Sequence, residues 1–255
     1  MHRNHDQGEG CALIASPLVL SLFPGIGLLD MAFEKEGFCV VRGPDLLWGG
    51  DIRQFHPPSQ VFAGVIGGPP CPAWSALGAM ARAAGKSTEA DLIPEFERVI
   101  RESKPSWFLM ENVPRAPLPH VAGFHIQHVI LSDVACGGVQ RRRRRFTFGC
   151  YDDWIGLFEP ETFALEAEAE PTLTKKRTRW NKKNGRPEPT ATQATWPDAI
   201  RQQGLPDTFL QDAPFTMEGK FTVLANGVPL PMGRQVAQAV RRALNGPLQP
   251  ADMAR

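Results

Sequence analysis

The amino-acid sequence predicts an α/β fold, a sheet of buried strands joined by crossover helices. Three observations carry that prediction. Short apolar runs recur along residues 1–150, segments of helical periodicity separate several of them, and the runs end in glycine- or proline-rich polar turns.

The first run, Pro17-Leu-Val-Leu-Ser-Leu-Phe23, reads as a buried strand and ends in Pro24-Gly-Ile-Gly27. Leu28, Leu29, Ala32 and Phe33 then recur at helical spacing up to Glu36, and Gly37 marks the stop. Phe38 to Val41 is a second strand, and Val61 to Ile66 a third that runs into Gly67-Gly-Pro-Pro-Cys71. A helix from about Glu89 to Ser103 leads to a strand from Ser106 to Met110, which ends in Glu111-Asn-Val-Pro114. His128 to Leu131 and Arg145 to Gly149 complete the strand set. Beyond residue 150 the patterns weaken. They recover in Trp196 to Phe209, which reads as helical, and in Met232 to Leu244, where Val236, Ala239, Val240 and Ala243 share one face. No internal repeat is present.

The chain has 255 residues, of which 42% are hydrophobic and 22% charged. That is room for one large domain, or one domain with a small appendage, and it excludes disordered, collagen-like and disulfide-stapled classes. The 28 basic and 27 acidic residues give a formal charge of +1. They are unevenly spread: residues 141–145 are all arginine, 151–170 hold seven acids and no base, and 171–190 hold seven bases and one acid. The near-zero total therefore conceals blocks suited to a polyanionic partner. Cys11, Cys39, Cys71, Cys136 and Cys150 form an odd set without a C-x-x-C pair, which points to reduced thiols and a cytosolic compartment. His120, His125 and His128 are close together without zinc-site spacing, and no metal is expected. No apolar run reaches the ~18 residues of a membrane span. The longest, Cys11 to Phe23, is interrupted by Pro17 and preceded by Asp6 and Glu9, so it reads as a loop and a strand rather than a signal core.

Ligands of open α/β sheets bind outside the carboxyl ends of the strands. The turns at 24–27, 67–72 and 111–114 are therefore expected to face one crevice. Cys71, fixed between Pro70 and Pro72, is either a buried structural thiol or a nucleophile presented there. Glu111, at the same edge, is a capping carboxylate or an acid beside that thiol. Phe23-Pro-Gly-Ile-Gly27 has the strand-turn-helix form of a nucleotide or nucleoside site, but lacks the lysine of a P-loop and the third glycine of a dinucleotide fingerprint. Gln140 to Phe146 is a solvated basic run or localisation signal, or else strand alternation turns Arg142 and Arg144 together toward the crevice.

In this order the segments resemble the C5-cytosine methyltransferase family, from about Leu18 to Leu244. Phe23-Pro-Gly-Ile-Gly27 resembles its S-adenosylmethionine turn, and Gly50-Asp51-Ile52 its adenosine-contacting segment. Gly67 to Ser75 resembles its catalytic cysteine motif, Glu111-Asn-Val113 its glutamate motif, and Gly138-Val-Gln140-x-Arg142-x-Arg144 its arginine motif. Ala225-Asn226-Gly-Val228-Pro is similar to its last motif, and Trp196–Phe209 to a degenerate ninth motif. The sequence departs from the family at Val139, where proline is usual, and at Ala225 and Gly227.

The resemblance implies a Rossmann-like S-adenosylmethionine-dependent methyltransferase sheet with a small irregular target-recognition domain. Residues 1–150, completed by 222–255, would form the catalytic domain and 151–221 the recognition domain. It implies catalytic roles for Cys71, Glu111, Arg144 and Arg142. Cofactor contacts would come from Phe23, Gly25, Ile26, Gly27, Asp51, Ile52, Pro70 and Asn226. Asp45 is the nearest acid for the ribose, although it sits late after the second strand. Residues 76–90 would close over a flipped-out cytosine. Gln140, Lys175, Lys176, Arg177, Arg179, Trp180, Lys182 and Lys183 would contact double-stranded DNA, with phosphate neutralisation by the cations and Trp180 or Arg179 filling the gap left by the flipped base. So small a reading region implies a short or relaxed recognition sequence. A cytoplasmic, nucleoid-associated monomer without membrane contact is expected, with the question of a restriction endonuclease partner open. Two alternatives remain: the tRNA-methylating branch, whose Cys-Phe-Thr signature is missing here, and a non-catalytic DNA-binding regulator on the same scaffold.

Overall fold

In the computed structural model, which describes residues 18–70, 90–151, 156–163, 169–173, 178–181, 186–189 and 194–245, six strands form one sheet. In chain order they are β1 (Leu18–Leu22), β2 (Cys39–Arg42), β3 (Gly64–Gly67), β4 (Trp107–Asn112), β5 (His125–Ser132) and β6 (Arg143–Cys150). Across the sheet they stand β2-β1-β3-β4-β6-β5. The first four run parallel, whereas β6 is antiparallel to both β4 and β5. The short link between β5 and β6 has no room for a crossover helix, so those two can pair only as antiparallel neighbours.

Helices cover both faces. On one face α1 (Leu28–Lys35) packs with α5 (Leu230–Leu244), and Phe33, Met232, Val236 and Val240 meet Trp107, Phe146 and Phe148 in one core. On the other, α2 (Ile93–Ser103) lays Phe96, Val99 and Ile100 over Leu20, Leu22, Val65 and Phe108. β1, β3 and β4 are thus buried on both sides, which is why they read as continuous apolar runs. Gly64 and Gly149 leave the space that the Trp107 and Phe108 rings occupy; a Cβ at either position would collide with the ring.

A third core joins α3 (Trp196–Gln202) and α4 (Met217–Asn226) to the start of α1: Ile200, Phe221 and Leu224 pack with Ile26, Leu28 and Leu173. β7 (Thr178–Asn181) and β8 (Arg186–Pro189) form a separate antiparallel pair.

Several elements differ from the sequence reading. The helix expected from Trp196 to Phe209 ends at Gln202, because Gly204 takes φ 69° and Leu205 N–H turns back to Ile200 O, closing the helix in a Schellman-type stop. The third strand begins at Gly64 rather than Val61, whose side chain is half exposed. α2 starts at Ile93, with proline in its first turn. The sequence did not announce α4, which Thr216 caps by accepting from Gly219 N–H, nor the β7–β8 pair.

Candidate active site

The carboxyl ends of β1 to β4 and the amino end of antiparallel β6 lie along one sheet edge, and chain order reverses at β1, between β2 and β3. Such an edge is where open α/β sheets bind ligands. The expected turns at 24–27 and 111–114 lie along it, as does the described part, 67–70, of the third.

The turn after β1 is held in an uncommon shape. Phe23 has φ 55°, Gly25 φ 55° and Gly27 φ 80°, and only the glycines take this left-handed region without strain. The following segment grips the turn from both sides. Gly25 N–H donates to Asp45 Oδ2 (2.8 Å), and the Trp48 indole N–H donates to Gly25 O (2.7 Å). Asp45 Oδ1 accepts from Leu47 N–H, so both carboxylate oxygens are engaged. A Cβ at Gly25 would meet nothing within 4 Å among the described residues. Gly27 opens α1 without a side-chain cap. The Arg42 guanidinium lies against Gly27, its Nε 3.0 Å from Asp30 Oδ2. Asp30 is fully buried and also accepts from the Ser21 hydroxyl; burial raises its carboxyl above the ordinary range, opposed by Ser21 and Arg42.

Next along the rim, Asp51 is paired bidentately with Arg53, whose hydrogen bonds hold its carboxyl below the ordinary range. Ile52 is buried, and Arg98 of α2 donates to the carbonyls of Ile52 (2.7 Å) and Phe55 (3.1 Å).

At the middle of the edge, Glu111 near the end of β4 meets Arg144 of β6. Arg144 Nε stands 2.7 Å from Glu111 Oε1, with the side chains 19% and 11% exposed. Among the described residues Glu111 Oε1 makes no well-aligned hydrogen bond, so its contact with Arg144 is an ion pair. A Cβ at Gly68 would stand 3.0 Å from Glu111 Oε2. Asn112 donates from Nδ2 to Pro69 O (3.3 Å) and accepts from Val113 N–H (2.8 Å). The Gly68–Pro69 segment is thereby fastened to the end of β4, just before Pro70-Cys71-Pro72 in the sequence. Pro70 is half-buried, whereas Cys71 lies outside the described residues, as do residues 72–89.

The predicted residues from 140 onward are divided among different tasks. Gln140 is fully buried: Nε2 donates to Gln202 O (2.7 Å) and Oε1 accepts from Leu173 N–H (3.1 Å). Its expected contact with DNA is therefore corrected, because the amide is used inside the protein to join the β5–β6 connection to α3. Buried Asp133 holds the same connection by accepting from Val139 and Gln140 N–H (both 3.0 Å), and Gly138 must lack a Cβ beside that carboxylate. Arg142 is buried and donates to Gly227 O (3.1 Å) and Asn226 O (3.4 Å), so in this arrangement it ties the arginine segment to the end of α4. Ile26 points into the third core, and Asn226 is exposed. Lys175, Lys176, Arg177, Lys182 and Lys183 lie outside the described residues; Arg179 and Trp180 are placed by backbone only, in β7.

Sequence reasoning held Gly68 and Asn112 only as members of their motifs, and missed Trp48 and the Asp30–Arg42 pair. A lone acid on the apolar stripe of Leu28, Leu29, Ala32 and Phe33 was the available signal for Asp30. Among the described residues no group of three His, Cys, Asp or Glu could hold a metal, and no helix is long and apolar enough to cross a membrane.

The sequence model of the C-5 cytosine-specific DNA methylases matches residues 48–184. The Type II methyltransferase M.MthTI of Methanothermobacter thermautotrophicus is 31% identical over 174 residues, covering 55% of this chain and 51% of that protein. M.HgiDI of Herpetosiphon aurantiacus is 29% identical over 161 residues, 51% of each. The chain spans about half the length of the curated relatives it matches. Among solved structures, a DNMT2 of Spodoptera frugiperda superposes with a TM-score of 0.63 at 13% identity, over 89% of this chain and 100% of that one. A putative DNA modification methyltransferase encoded within an E. coli prophage gives 0.59 at 16% identity, over 90% and 100%. At these identities the likeness is one of fold, that of the methyltransferase sheet.

Proposed function

Because the chain belongs to the C-5 cytosine-specific DNA methylase family, we propose that it transfers a methyl group from S-adenosylmethionine to C5 of a cytosine in double-stranded DNA through a covalent Cys71 adduct. The observation that carries this reading is the buried Glu111–Arg144 pair, on the sheet edge to which Asn112 fastens the Gly68–Pro69 segment that precedes Cys71 in the sequence.

C5 of cytosine is a weak nucleophile. Addition of the Cys71 thiolate at C6 makes C5 enamine-like, which is covalent catalysis. Glu111 would carry the proton hydrogen-bonded to N3 as charge builds there. Arg144, already oriented by Glu111 and by the Arg143 carbonyl, would donate to O2. After C5 is methylated, a base takes the C5 proton, the C5–C6 double bond re-forms and Cys71 leaves with the electrons of its bond to C6. The cytosine must leave the base stack for C6 to be reached.

The residues present fit the cofactor. In the turn at 23–27 a Cβ at Gly25 would meet no described atom within 4 Å, the start of α1 carries no side-chain cap, and Asp45 and Asp51 line the same rim. Bound there, S-adenosylmethionine would supply an electrophilic methyl sulfonium and leave as S-adenosylhomocysteine, its sulfur keeping the electrons of the broken S–methyl bond. Phe23, Gly25 and Gly27 would hold its methionine end, Asp45 the ribose hydroxyls, and Asp51 with Ile52 the adenine. Target reading is assigned to 151–221, with Lys175, Lys176, Arg177, Arg179, Trp180, Lys182 and Lys183 on the DNA, and the division into that unit and a catalytic unit of 1–150 with 222–255 belongs to the same proposal.

Transfer of tritiated methyl groups to duplex DNA tests the reading. Wild type is expected to label DNA, Cys71→Ala to abolish labelling, and Glu111→Gln to lower kcat by about 10²–10⁴. Labelling of tRNA in place of DNA would favour the RNA-methylating branch, and DNA binding without any transfer a silent regulator.

A further inference from the structure

The five consecutive arginines end in different places. Arg141 Nε donates to Ala169 O (2.8 Å), Arg142 to the end of α4, Arg144 faces Glu111, and Arg145 donates to the carbonyls of Ala116 (2.7 Å) and Pro114. Arg143 differs. It is exposed at the first position of β6, and its guanidinium has no partner among the described residues. Alternation along the strand puts it on the same side of β6 as Arg145. The two carbonyls that Arg145 grips flank Arg115, a second exposed arginine without a partner among the described residues. One buttress thus fixes the backbone beneath two unpaired cations. Both lie at the sheet edge that carries the centre, since Arg143 opens β6 at its amino end and Arg115 follows the Glu111-Asn-Val-Pro turn after β4.

A planar guanidinium on a fixed backbone suits phosphate oxygens, which it meets with paired donors. Two like charges on one sheet edge, neither paired among the described residues, suit a partner with regularly spaced negative charge. We propose that Arg115 and Arg143 bind backbone phosphates of the duplex beside the target cytosine, an inference that rests on the DNA-methylation reading above. These contacts position the DNA and carry no sequence information. They add to the strand-edge side of the interface what the basic stretch at 175–186 would supply from the reading side.

The test is a salt series of fluorescence anisotropy titrations of the full chain with a fluorescein-labelled, mixed-sequence DNA duplex. Arg115→Gln and Arg143→Gln are each expected to reduce the slope of log K against log salt by about 0.9, and the double variant by about twice that. The loss should be alike for duplexes of different sequence, with thermal midpoints matching wild type. Arg101→Gln, on α2 at the opposite end of the sheet, should keep the wild-type slope. Unchanged slopes in both variants, with wild type binding and methylating DNA, overturn the proposal and leave the function standing. A wild-type chain that binds structured RNA but not duplex DNA overturns both.

Discussion

Gly68→Ala changes no charged group, yet it presses on the centre. Its Cβ would stand 3.0 Å from Glu111 Oε2, while ordinary contacts begin at 3.4 Å. The carboxylate must yield by roughly 0.4 Å, and its other oxygen is already 2.7 Å from Arg144 Nε, so the displacement passes to that pair. Overpacking by one methyl costs about 1–3 kcal/mol, and a single close contact to one carboxylate oxygen belongs at the low end, about 1 kcal/mol. For a chain of this size that lowers Tm by roughly 2–4 °C. Misplacing a reacting group by 1 Å costs about 10²-fold, so a shift near 0.4 Å should cost kcat about 5- to 10-fold, with KM for DNA moving less than about twofold. Steady-state methyl transfer to duplex DNA measures both constants, and a thermal melt reports folding. Wild-type kcat in a variant whose Tm has fallen by this amount would refute the idea that Gly68 spaces the Glu111 carboxylate.

Gln140→Ala should destabilise the fold by about 2–4 kcal/mol, since it leaves Gln202 O and Leu173 N–H unpaired in the interior; chemical denaturation measures this, and a loss of DNA affinity without a loss of stability would contradict the placement. Burial and the neighbouring Asp133 charge push the Cys136 thiol up to about 12, so alkylation near neutral pH followed by peptide mass spectrometry should label exposed Cys39 in the native protein and Cys136 only after unfolding. Burial also holds the Asp133 carboxyl above the ordinary range, so the folded chain keeps that proton to higher pH than the unfolded chain. The cost of burying its charge is absent below the ordinary aspartate value and grows as pH rises to the raised one. The stability of wild type relative to Asp133→Asn should therefore fall with rising pH in the acid range above about pH 4, then level off, whereas a constant difference would contradict the shift.

The parts of the fold legible in the sequence were those fixed by local pattern. β1, β3 and β4 are covered on both faces, so their apolar runs were unmistakable, and the turns after them necessarily meet at one edge once the strands are parallel. The antiparallel β6 was not readable, because its direction follows from the short β5–β6 link and not from its own residues. α4 escaped notice because Gly219 and Lys220 interrupt its first turn before Phe221, Val223 and Leu224 begin the apolar stretch. Side-chain fates in 140–145 depended on contacts far along the chain. Alternation grouped Arg142 with Arg144, but only the position of α4 decides that Arg142 turns to Asn226 and Gly227. Gln140 likewise looks like a surface amide until Gln202 and Leu173 enclose it.

Covalent trapping on a duplex carrying 5-fluorocytosine in place of cytosine tests the central claim most directly, because fluorine at C5 blocks release of the adduct. With S-adenosylmethionine present, wild type should form a protein–DNA species that survives denaturing electrophoresis, and Cys71→Ala should form none. Absence of that species with wild type, together with no methyl transfer to unmodified DNA, would contradict the account.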